Sequence, residues 1–362
     1  MKDRVVVLSV TQEPAFGAER VLATLVQGLP REFAPRCTLL TSSRSALARW
    51  TAGAVSPQRD WNATRDASLL NLRACFGAAR ALRAERIGLV HAWSVRAFEP
   101  ALLLARLLGA HVSGTLHDHP RASSLGTIRR AILQRSAPRL RPFVCVSEAL
   151  AAACREFRVN GDLAIIRNGL PAARTVSARR DRPNSSAIRV GFLGLYAPSK
   201  GFAVVRDWID HAGPEIEWHL YGEPAPSLRA ACHQLQSRHR ANVTLHGWTD
   251  RAGSMDDIDV LLHASVEFDS YPTVLLEAGR AGIPAVASDI GGAREIVAHG
   301  ITGFLFPPGD SSGLTHLRRL AADPDLRRTM GAAAKRRFDA EFGVQRMVDA
   351  YVATWTRALA AP

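Results

Sequence analysis

Two acidic residues, Asp269 and Glu277, stand eight positions apart on either side of a predicted helix start. Pro272 and Thr273 mark that start, because proline is well tolerated where a helix begins. Carboxylates accept hydrogen bonds from hydroxyl groups, and the positive end of a helix dipole attracts phosphate. The pattern therefore predicts a site for a sugar attached to a diphosphate.

Other residues of the same half would complete such a site. Lys200 lies on a loop that follows Gly194 and a predicted strand, where its compact ammonium group can neutralise phosphate. Gly291 and Gly292 form a turn before Arg294, and glycines let a ligand approach the backbone closely. Each feature taken alone is more typical of an ordinary turn or solvated loop.

The first half offers a glycine and a histidine. Gly17 follows the first predicted strand and opens a helix, where the backbone can lie close to a phosphate. The sequence around it is not Gly-x-Gly-x-x-Gly, so the dinucleotide fingerprint is absent. His117 ends a predicted strand, and its imidazole could hydrogen-bond a sugar or carry a proton. His119 is a second candidate, whereas His91 is interpreted as structural.

Short apolar runs alternate with amphipathic segments along the chain, which predicts parallel sheets covered by helices on both faces. The expected strands of the first half are residues 5–10, 37–41, 88–92, 112–116, 143–146 and 164–166. Those of the second half are residues 188–194, 217–221, 243–246, 260–263, 285–288 and 304–306. The predicted fold class is α/β, with two doubly wound Rossmann-like domains that face each other across a cleft.

The polar, proline-bearing segment 171–186 has no apolar periodicity and is typical of a linker. We therefore predict a first domain over residues 1–172, a linker over 173–187 and a second domain over 188–340. Residues 341–362 are expected to form a helix that packs back on the first domain.

Positive charge is concentrated in one half. Residues 1–187 contain 28 Lys and Arg against 13 Asp and Glu, whereas residues 188–362 contain 18 against 20. A basic half favours an anionic partner such as a membrane lipid or a lipid-phosphate acceptor. An arginine-rich solvated surface explains the charge equally well.

The basic segment 121–141 could form a helix with an apolar stripe of Leu125, Ile128, Ile132 and Leu133. Such a helix could rest on an anionic membrane, or line the acceptor side because it follows His117. The alternative is a solvated helix whose stripe packs inside the domain. The segment lacks the interleaved aromatic residues that bind single-stranded nucleic acid, so no nucleic-acid partner is expected.

The five cysteines show no Cys-x-x-Cys spacing, which predicts reduced thiols and no metal site. No run reaches the roughly 18 apolar residues that a membrane-spanning helix needs, and none is typical of a signal peptide. A cytoplasmic location is expected, with peripheral contact at the inner face of the membrane as an alternative.

Taken together, the chain resembles the family 4 glycosyltransferases, which are retaining enzymes with the GT-B fold. The acid-pair segment 266–309 is the most specific part of this resemblance. Weaker motifs occur in the same order as in the family: FGAER at residues 16–20, the strand ending at His117, VSEAL at 146–150, IIRNG at 165–169, the loop 194–201, YGEP at 221–224 and LHGW at 245–248.

The resemblance implies a role for each candidate residue. The first domain would carry the acceptor side and the second would bind the nucleotide sugar. Glu277 would hold the ribose, Lys200 and Gly17 would lie at the diphosphate, and Asp269 and His117 would lie beside the donor sugar. The remaining donor-binding candidates are Gly194, Tyr271, the backbone N–H groups of Thr273 and Val274, and Arg294. No cofactor and no metal ion is implied.

Three positions depart from the family pattern. Asp269 replaces a glutamate, Leu195 stands where an arginine often binds the diphosphate, and Phe16 replaces a glycine. The expected function is sugar transfer from a nucleotide-diphosphate sugar to an acceptor hydroxyl in bacterial glycan, glycolipid or glycosylated-metabolite synthesis. The alternatives are a catalytically impaired protein that binds nucleotide sugar or glycan, and a nucleotide-sugar epimerase of the same fold.

Overall fold

The computed structural model describes residues 2–10, 17–41, 46–54, 56–61, 72–122, 125–159, 161–172, 187–248 and 255–361. Contacts within the chain divide it into two compact units. The first comprises Met1–Pro171 together with Gly343–Pro362, and the second comprises Ala172–Phe342. Most of the predicted linker, residues 173–186, lies outside the described residues.

Each unit is built on one parallel sheet. The strands of the first sheet are β1 Arg4–Leu8, β2 Cys37–Thr41, β3 Gln58–Asp60, β4 Ile87–Trp93, β5 His111–Leu116, β6 Phe143–Cys145 and β7 Leu163–Ile165. Those of the second are β8 Ile188–Leu193, β9 Ile216–Tyr221, β10 Val243–Gly247, β11 Val260–His263, β12 Ala285–Ser288 and β13 Gly303–Phe306. Central strands such as Val5–Leu8 are fully buried, which is why they are rich in valine and leucine rather than alternating.

Helices connect the strands. They are α1 Gly17–Gly28, α2 Ala46–Trp50, α3 Leu72–Leu82, α4 Val95–Leu108, α5 Gly126–Ser136, α6 Glu148–Glu156, α7 Phe202–His211, α8 Arg229–Arg238, α9 Thr273–Ala281, α10 Ala293–Ile296, α11 Ser312–Ala322, α12 Pro324–Glu341 and α13 Val344–Ala360. Gly343 separates α12 from α13. The prediction of an α/β protein with two doubly wound Rossmann-like domains is confirmed by this alternation.

The last helix belongs to the core of the first unit. Tyr351 and Trp355 on α13 are buried, and the Trp355 ring stacks on Phe33 with centroids 6.1 Å apart. Helix α1 approaches α13 at Gly28, where a Cβ atom would come within 2.9 Å of the Val348 side chain. Burying each large side chain contributes roughly 1.5–3 kcal/mol, so α13 stabilises the first unit although it is distant in sequence.

Strand order places a binding crevice in each unit. The first sheet runs β3-β2-β1-β4-β5-β6-β7 and the second β10-β9-β8-β11-β12-β13. In both, the first strand of the unit lies in the interior, and the chain leaves it in opposite directions. Ligands bind at such switch points, outside the carboxyl ends of the strands. In the second unit the loops after β8 and β11 flank this point.

Candidate active site

The loop after β8 carries Lys200. Gly194 leaves the strand with a φ of 141°, and residues Pro198–Lys200 form a 3-10 turn. The turn ends at Gly201, whose φ is 72° and where any Cβ atom would overlap the carbonyl oxygen of Ala264. This close packing requires glycine, and it holds the β8 loop against the β11 loop at the carboxyl edge of the sheet.

Lys200 and Asp269 are brought together at this edge. The ammonium nitrogen Nζ of Lys200 donates to Oδ2 of Asp269 at 2.5 Å. The Lys200 side chain remains 44% exposed, whereas that of Asp269 is 17% exposed. The two residues were predicted separately as phosphate-binding and sugar-binding groups, and the fold makes them one ion pair with one face open to solvent.

His263 is a member of the same cluster that the sequence analysis did not identify. Its Nε2 lies 3.2 Å from Oδ2 of Asp269 and 3.2 Å from Oγ of Ser265. Burial alone would raise the pKa of Asp269, but the Lys200 ammonium and the His263 ring together hold that pKa well below its usual range. Asp269 is therefore a carboxylate at physiological pH.

Helix α9 follows the acid loop and begins at Thr273. Pro272 takes the position just before the helix, with an extended ψ of 106°, rather than the first helical position. The positive end of the helix dipole lies at Thr273 and Val274, close in sequence to Asp269. Glu277 is buried on the second turn of the helix. Tyr271 is buried as well.

The glycine pair has a structural role, and its predicted role in letting a ligand approach the backbone stays a prediction. Gly291 has a φ of 58°, and a Cβ atom on it would overlap the carbonyl oxygen of Asp269. The N–H of Gly292 donates to the same carbonyl at 2.9 Å, and a Cβ on Gly292 would overlap the carbonyl of Ser270. The turn therefore packs directly against the acid loop and fixes the backbone at Asp269.

Arg294 and Leu195 differ in what they offer a diphosphate. Arg294 makes a two-pronged ion pair with Asp289, at 2.9 and 2.8 Å, so its guanidinium is already partly engaged. Its side chain is 63% exposed. Leu195 is 38% exposed on the β8 loop and adds no charge there.

The first unit places His117 at the carboxyl edge of its own sheet. His117 directly follows β5, and its ring packs on Trp93 with centroids 4.8 Å apart. Its Nε2 is buried and has no hydrogen-bond partner among the described residues. Burial lowers the pKa of His117 to about 3, so the ring is neutral at physiological pH. This favours a hydrogen-bonding role over proton transfer.

Trp93 contacts three neighbouring segments at the carboxyl edge of the first sheet. Its indole Nε1 donates at 2.9 Å to the carbonyl oxygen of Ala18, in the first turn of α1. Gly17 is the first described residue of helix α1, and Phe16 lies outside the described residues. The ring of Trp93 also packs on Tyr351 of α13, with centroids 5.5 Å apart.

A chain of hydrogen-bonded polar side chains is buried next to Trp93. His91 on β4 is fully buried, with Nδ1 2.8 Å from Oγ of Ser113 and Nε2 3.0 Å from Oγ1 of Thr115. Thr115 in turn lies 3.0 Å from the Tyr351 hydroxyl. Burial and then the neighbouring His117 lower the pKa of His91 to about 3. The structural interpretation of His91 agrees with these contacts.

The basic segment 121–141 contains α5, and three of the four residues of its apolar stripe do not face outward. Leu125, Ile132 and Leu133 are buried within the first unit, whereas Ile128 is 65% exposed. The contacts agree with the alternative of a solvated helix packed by one stripe, and membrane contact stays a prediction. Within the described ranges, no helix combines the length and the apolar character needed to cross a membrane.

Two family models match the chain, and together they cover most of it. The model described as "Glycosyltransferase Family 4" matches residues 16–174, and the one described as "Glycosyl transferases group 1" matches residues 187–323. The chain is a family 4 glycosyltransferase.

Relatives agree with this assignment, one of them over nearly the full length of the chain. A lipopolysaccharide core biosynthesis glycosyltransferase of Rhizobium meliloti is 26% identical, over 95% of this chain and 96% of that protein. A phosphatidyl-myo-inositol mannosyltransferase of Mycobacterium tuberculosis is 28% identical over 66% of each chain. The predicted glycosyltransferase class is therefore confirmed.

Solved structures confirm the GT-B fold. The Anabaena protein HepE in complex with UDP and glucose superposes with a TM-score of 0.82 at 19% identity, over 97% of this chain and 98% of that one. A sucrose-phosphate synthase from Thermosynechococcus elongatus gives a TM-score of 0.81 at 17% identity, over 99% and 100% of the two chains. At these identities the likeness establishes the fold, and the roles of single residues in this glycosyltransferase stay predictions.

Proposed function

We propose that this glycosyltransferase moves a sugar from a nucleoside diphosphate sugar to an acceptor hydroxyl and retains the configuration at the anomeric carbon. The observation that carries the proposal is the hydrogen-bonded cluster of Lys200, Asp269 and His263 at the switch point of the second sheet. Its partly exposed ammonium group is suited to a diphosphate, and its ionised carboxylate to a sugar.

The leaving diphosphate gains negative charge as the bond to the anomeric carbon breaks. Lys200 and the N-terminus of α9 would stabilise that charge, because they are fixed before the reaction begins. Asp269 remains ionised, so it can stabilise positive charge that develops on the sugar. Glu277 would accept hydrogen bonds from the ribose hydroxyls. We propose no metal ion and no cofactor for this step.

The first unit contributes a neutral group. His117 presents a buried Nε2 that has no protein partner among the described residues, so a sugar hydroxyl can use it. An imidazole with a pKa of about 3 is a hydrogen-bonding group rather than a general acid at neutral pH. We propose that His117 orients the donor sugar.

The relatives support a proposal for the donor and the product class. HepE was crystallised with UDP and with UDP-glucose, and the Rhizobium meliloti relative is named for lipopolysaccharide core biosynthesis. We propose a UDP-sugar as the first donor to test, and an acceptor in bacterial cell-surface glycan or glycolipid synthesis.

A donor screen tests the proposal. Purified protein is incubated with UDP-, GDP- and ADP-sugars, and thermal stabilisation and nucleotide release are followed. One nucleotide should stabilise the protein, and Glu277→Ala should lose that response while Glu341→Ala, which changes an exposed residue on α12, keeps it. If no donor stabilises the wild type, the impaired-protein alternative is favoured, and the uncharged Leu195 in the phosphate loop is its most direct explanation.

A further inference from the structure

A second concave site lies in the first unit, separate from the donor-binding candidates. It is a cavity of about 280 Å³ between the loop after β5, the middle of α5 and the end of α6. We call it the basic pocket. Its polar and aromatic lining consists of Arg121, Arg130, Gln134, Glu156, Phe157 and Arg158. The lining contains three guanidinium groups and one carboxylate, so it is positively charged.

Two of the arginines are held in place. The Arg121 guanidinium lies over the Phe157 ring, 3.8 Å from its centroid. Arg130 donates through Nη2 to the carbonyl oxygens of Arg121 and Ala122, at 3.2 and 3.4 Å. Because these groups are fixed before a ligand arrives, less conformational entropy is lost when one binds.

One donor in the pocket lacks a partner. The Nε atom of Arg130 is buried and forms no hydrogen bond with any of the described residues. A buried donor without an acceptor is energetically costly, and an anionic oxygen in the pocket would satisfy it. Arginine presents its N–H groups as a planar fork that matches phosphate oxygens.

The position of the pocket relates it to the reaction. Pro120 in its wall is three residues after His117, so the two backbones lie within about 11 Å of each other even if that segment is extended. The unit that contains the pocket also carries the excess of basic residues noted above. That excess raises the local concentration of anions.

We propose that the basic pocket binds a phosphate group carried by the acceptor. This inference rests on the proposed function, because it names the chemical class of the acceptor. The phosphate could belong to a soluble sugar phosphate or to a lipid headgroup. Both sources carry the phosphate group that three arginines recognise, and the experiment distinguishes one source from the other.

Binding is measured by calorimetry with inorganic phosphate, with glucose 6-phosphate and with glucose. The pocket variants are Arg130→Lys, which keeps the charge but removes Nε–H, and the double change Arg121→Gln with Arg158→Asn. Asparagine suits the left-handed backbone at Arg158, where φ is 52°. The control is Arg106→Gln, which changes an exposed arginine of α4 outside the pocket.

If the phosphate belongs to a soluble acceptor, glucose 6-phosphate should bind and glucose should not. The double variant should bind it at least about tenfold more weakly, as expected for loss of charge-assisted hydrogen bonds. Arg130→Lys should show a smaller loss, and Arg106→Gln none. Phosphate affinity that is unchanged in both pocket variants but lost in Lys200→Ala would place the phosphate at the donor site and overturn the proposal.

Co-sedimentation with vesicles of phosphatidylglycerol and phosphatidylcholine distinguishes the two sources. Vesicle binding that the double variant loses assigns a lipid phosphate, whereas binding of glucose 6-phosphate alone assigns a soluble acceptor. Binding of neither probe overturns the proposal. The pocket variants should keep the thermal response to the nucleotide sugar, so failure of the pocket is distinguishable from failure of the donor site.

Discussion

The two sheets of this glycosyltransferase share a strand order, but different kinds of side chains lie at their carboxyl edges. In the second unit the edge holds an ammonium and a carboxylate, Lys200 and Asp269, with the ammonium partly exposed. In the first unit it holds the neutral ring of His117 on the indole of Trp93. The charged edge is suited to the diphosphate and the neutral edge to the hydroxyls of a sugar.

The two edges therefore carry different charges because the local environments of their side chains differ. Burial without a partner keeps an imidazole neutral, whereas burial beside a cation keeps a carboxylate ionised. Substitutions at the charged edge should affect the steps in which charge develops. Substitutions at the neutral edge should affect the orientation of the sugar, with little dependence on pH.

The largest effect is expected from Asp269→Asn. The change removes the carboxylate but keeps the shape, so it should lower the turnover number by on the order of 10²-fold, as for other fixed transition-state groups. Asp339→Asn is the matched control, because Asp339 also pairs with a lysine, Lys335 at 2.6 Å. Turnover measured with the responsive donor checks this, and wild-type turnover in Asp269→Asn would remove the residue from the mechanism.

Gly291→Ala tests whether the glycine turn fixes the charged edge. The added Cβ would overlap the carbonyl of Asp269 at a φ of 58°, so both turnover and stability should fall. Gly309→Ala is the control: its φ is 79°, but no atom lies within 4 Å of the added Cβ. That variant should lose roughly 1–2 kcal/mol of unfolding free energy and keep its turnover. Equal turnover losses in the two variants would contradict a specific role for the turn.

Because the ring of His117 at the neutral edge stays uncharged, the pH–rate profile should show no inflection from this histidine. Since the pKa of His117 is about 3, the ring does not titrate between pH 5 and 8. His117→Gln should lower turnover several-fold, by losing the fixed Nε2, without changing the shape of the pH–rate profile. The profiles of wild type and variant are compared over that range. An inflection near pH 6.5 that only the wild type shows would mean that His117 carries a proton.

The smallest effect concerns stability rather than turnover. His91 has a pKa of about 3 in the folded chain and about 6.5 when unfolded. Between these values the unfolded chain binds more protons, so the free energy of unfolding falls as pH is lowered through this window. A drop from pH 6.5 to 4.5 should cost about 2 kcal/mol from this one group.

Urea unfolding of the wild type and of His91→Phe at several pH values checks this expectation. The variant lacks the titrating ring, so its stability should depend less on pH, although it loses the bonds to Ser113 and Thr115. An identical pH dependence in both proteins would contradict a buried neutral His91.

The sequence was sufficient to predict the two parallel sheets, because buried parallel strands appear as short, nearly continuous apolar runs. It did not predict β3, whose three residues, Gln58–Asp60, form a polar edge strand without such a run. Lys200 was identified because it follows such a strand, and Asp269 because it precedes a predicted helix start. Their pairing was not, since it depends on the close packing of Gly201 against Ala264.

Two site residues were missed for different reasons. His263 occupies the last position of β11, and the rule that ligands bind at carboxyl ends could have indicated it. Trp93 supports His117 only because β4 and β5 pair with Trp93 opposite Thr115, a register that the sequence does not specify. Arg294 was expected at the diphosphate, but its ion pair with Asp289 depends on how the turn folds.

The most direct test of the charged edge is calorimetric titration of the responsive nucleotide diphosphate into wild type, Lys200→Ala and Lys335→Ala. Both lysines pair with an aspartate, but only Lys200 lies at the switch point. The account predicts a dissociation constant about 10- to 100-fold higher in Lys200→Ala, and an unchanged one in Lys335→Ala. Equal affinity in all three proteins would contradict the assignment of the diphosphate to this edge.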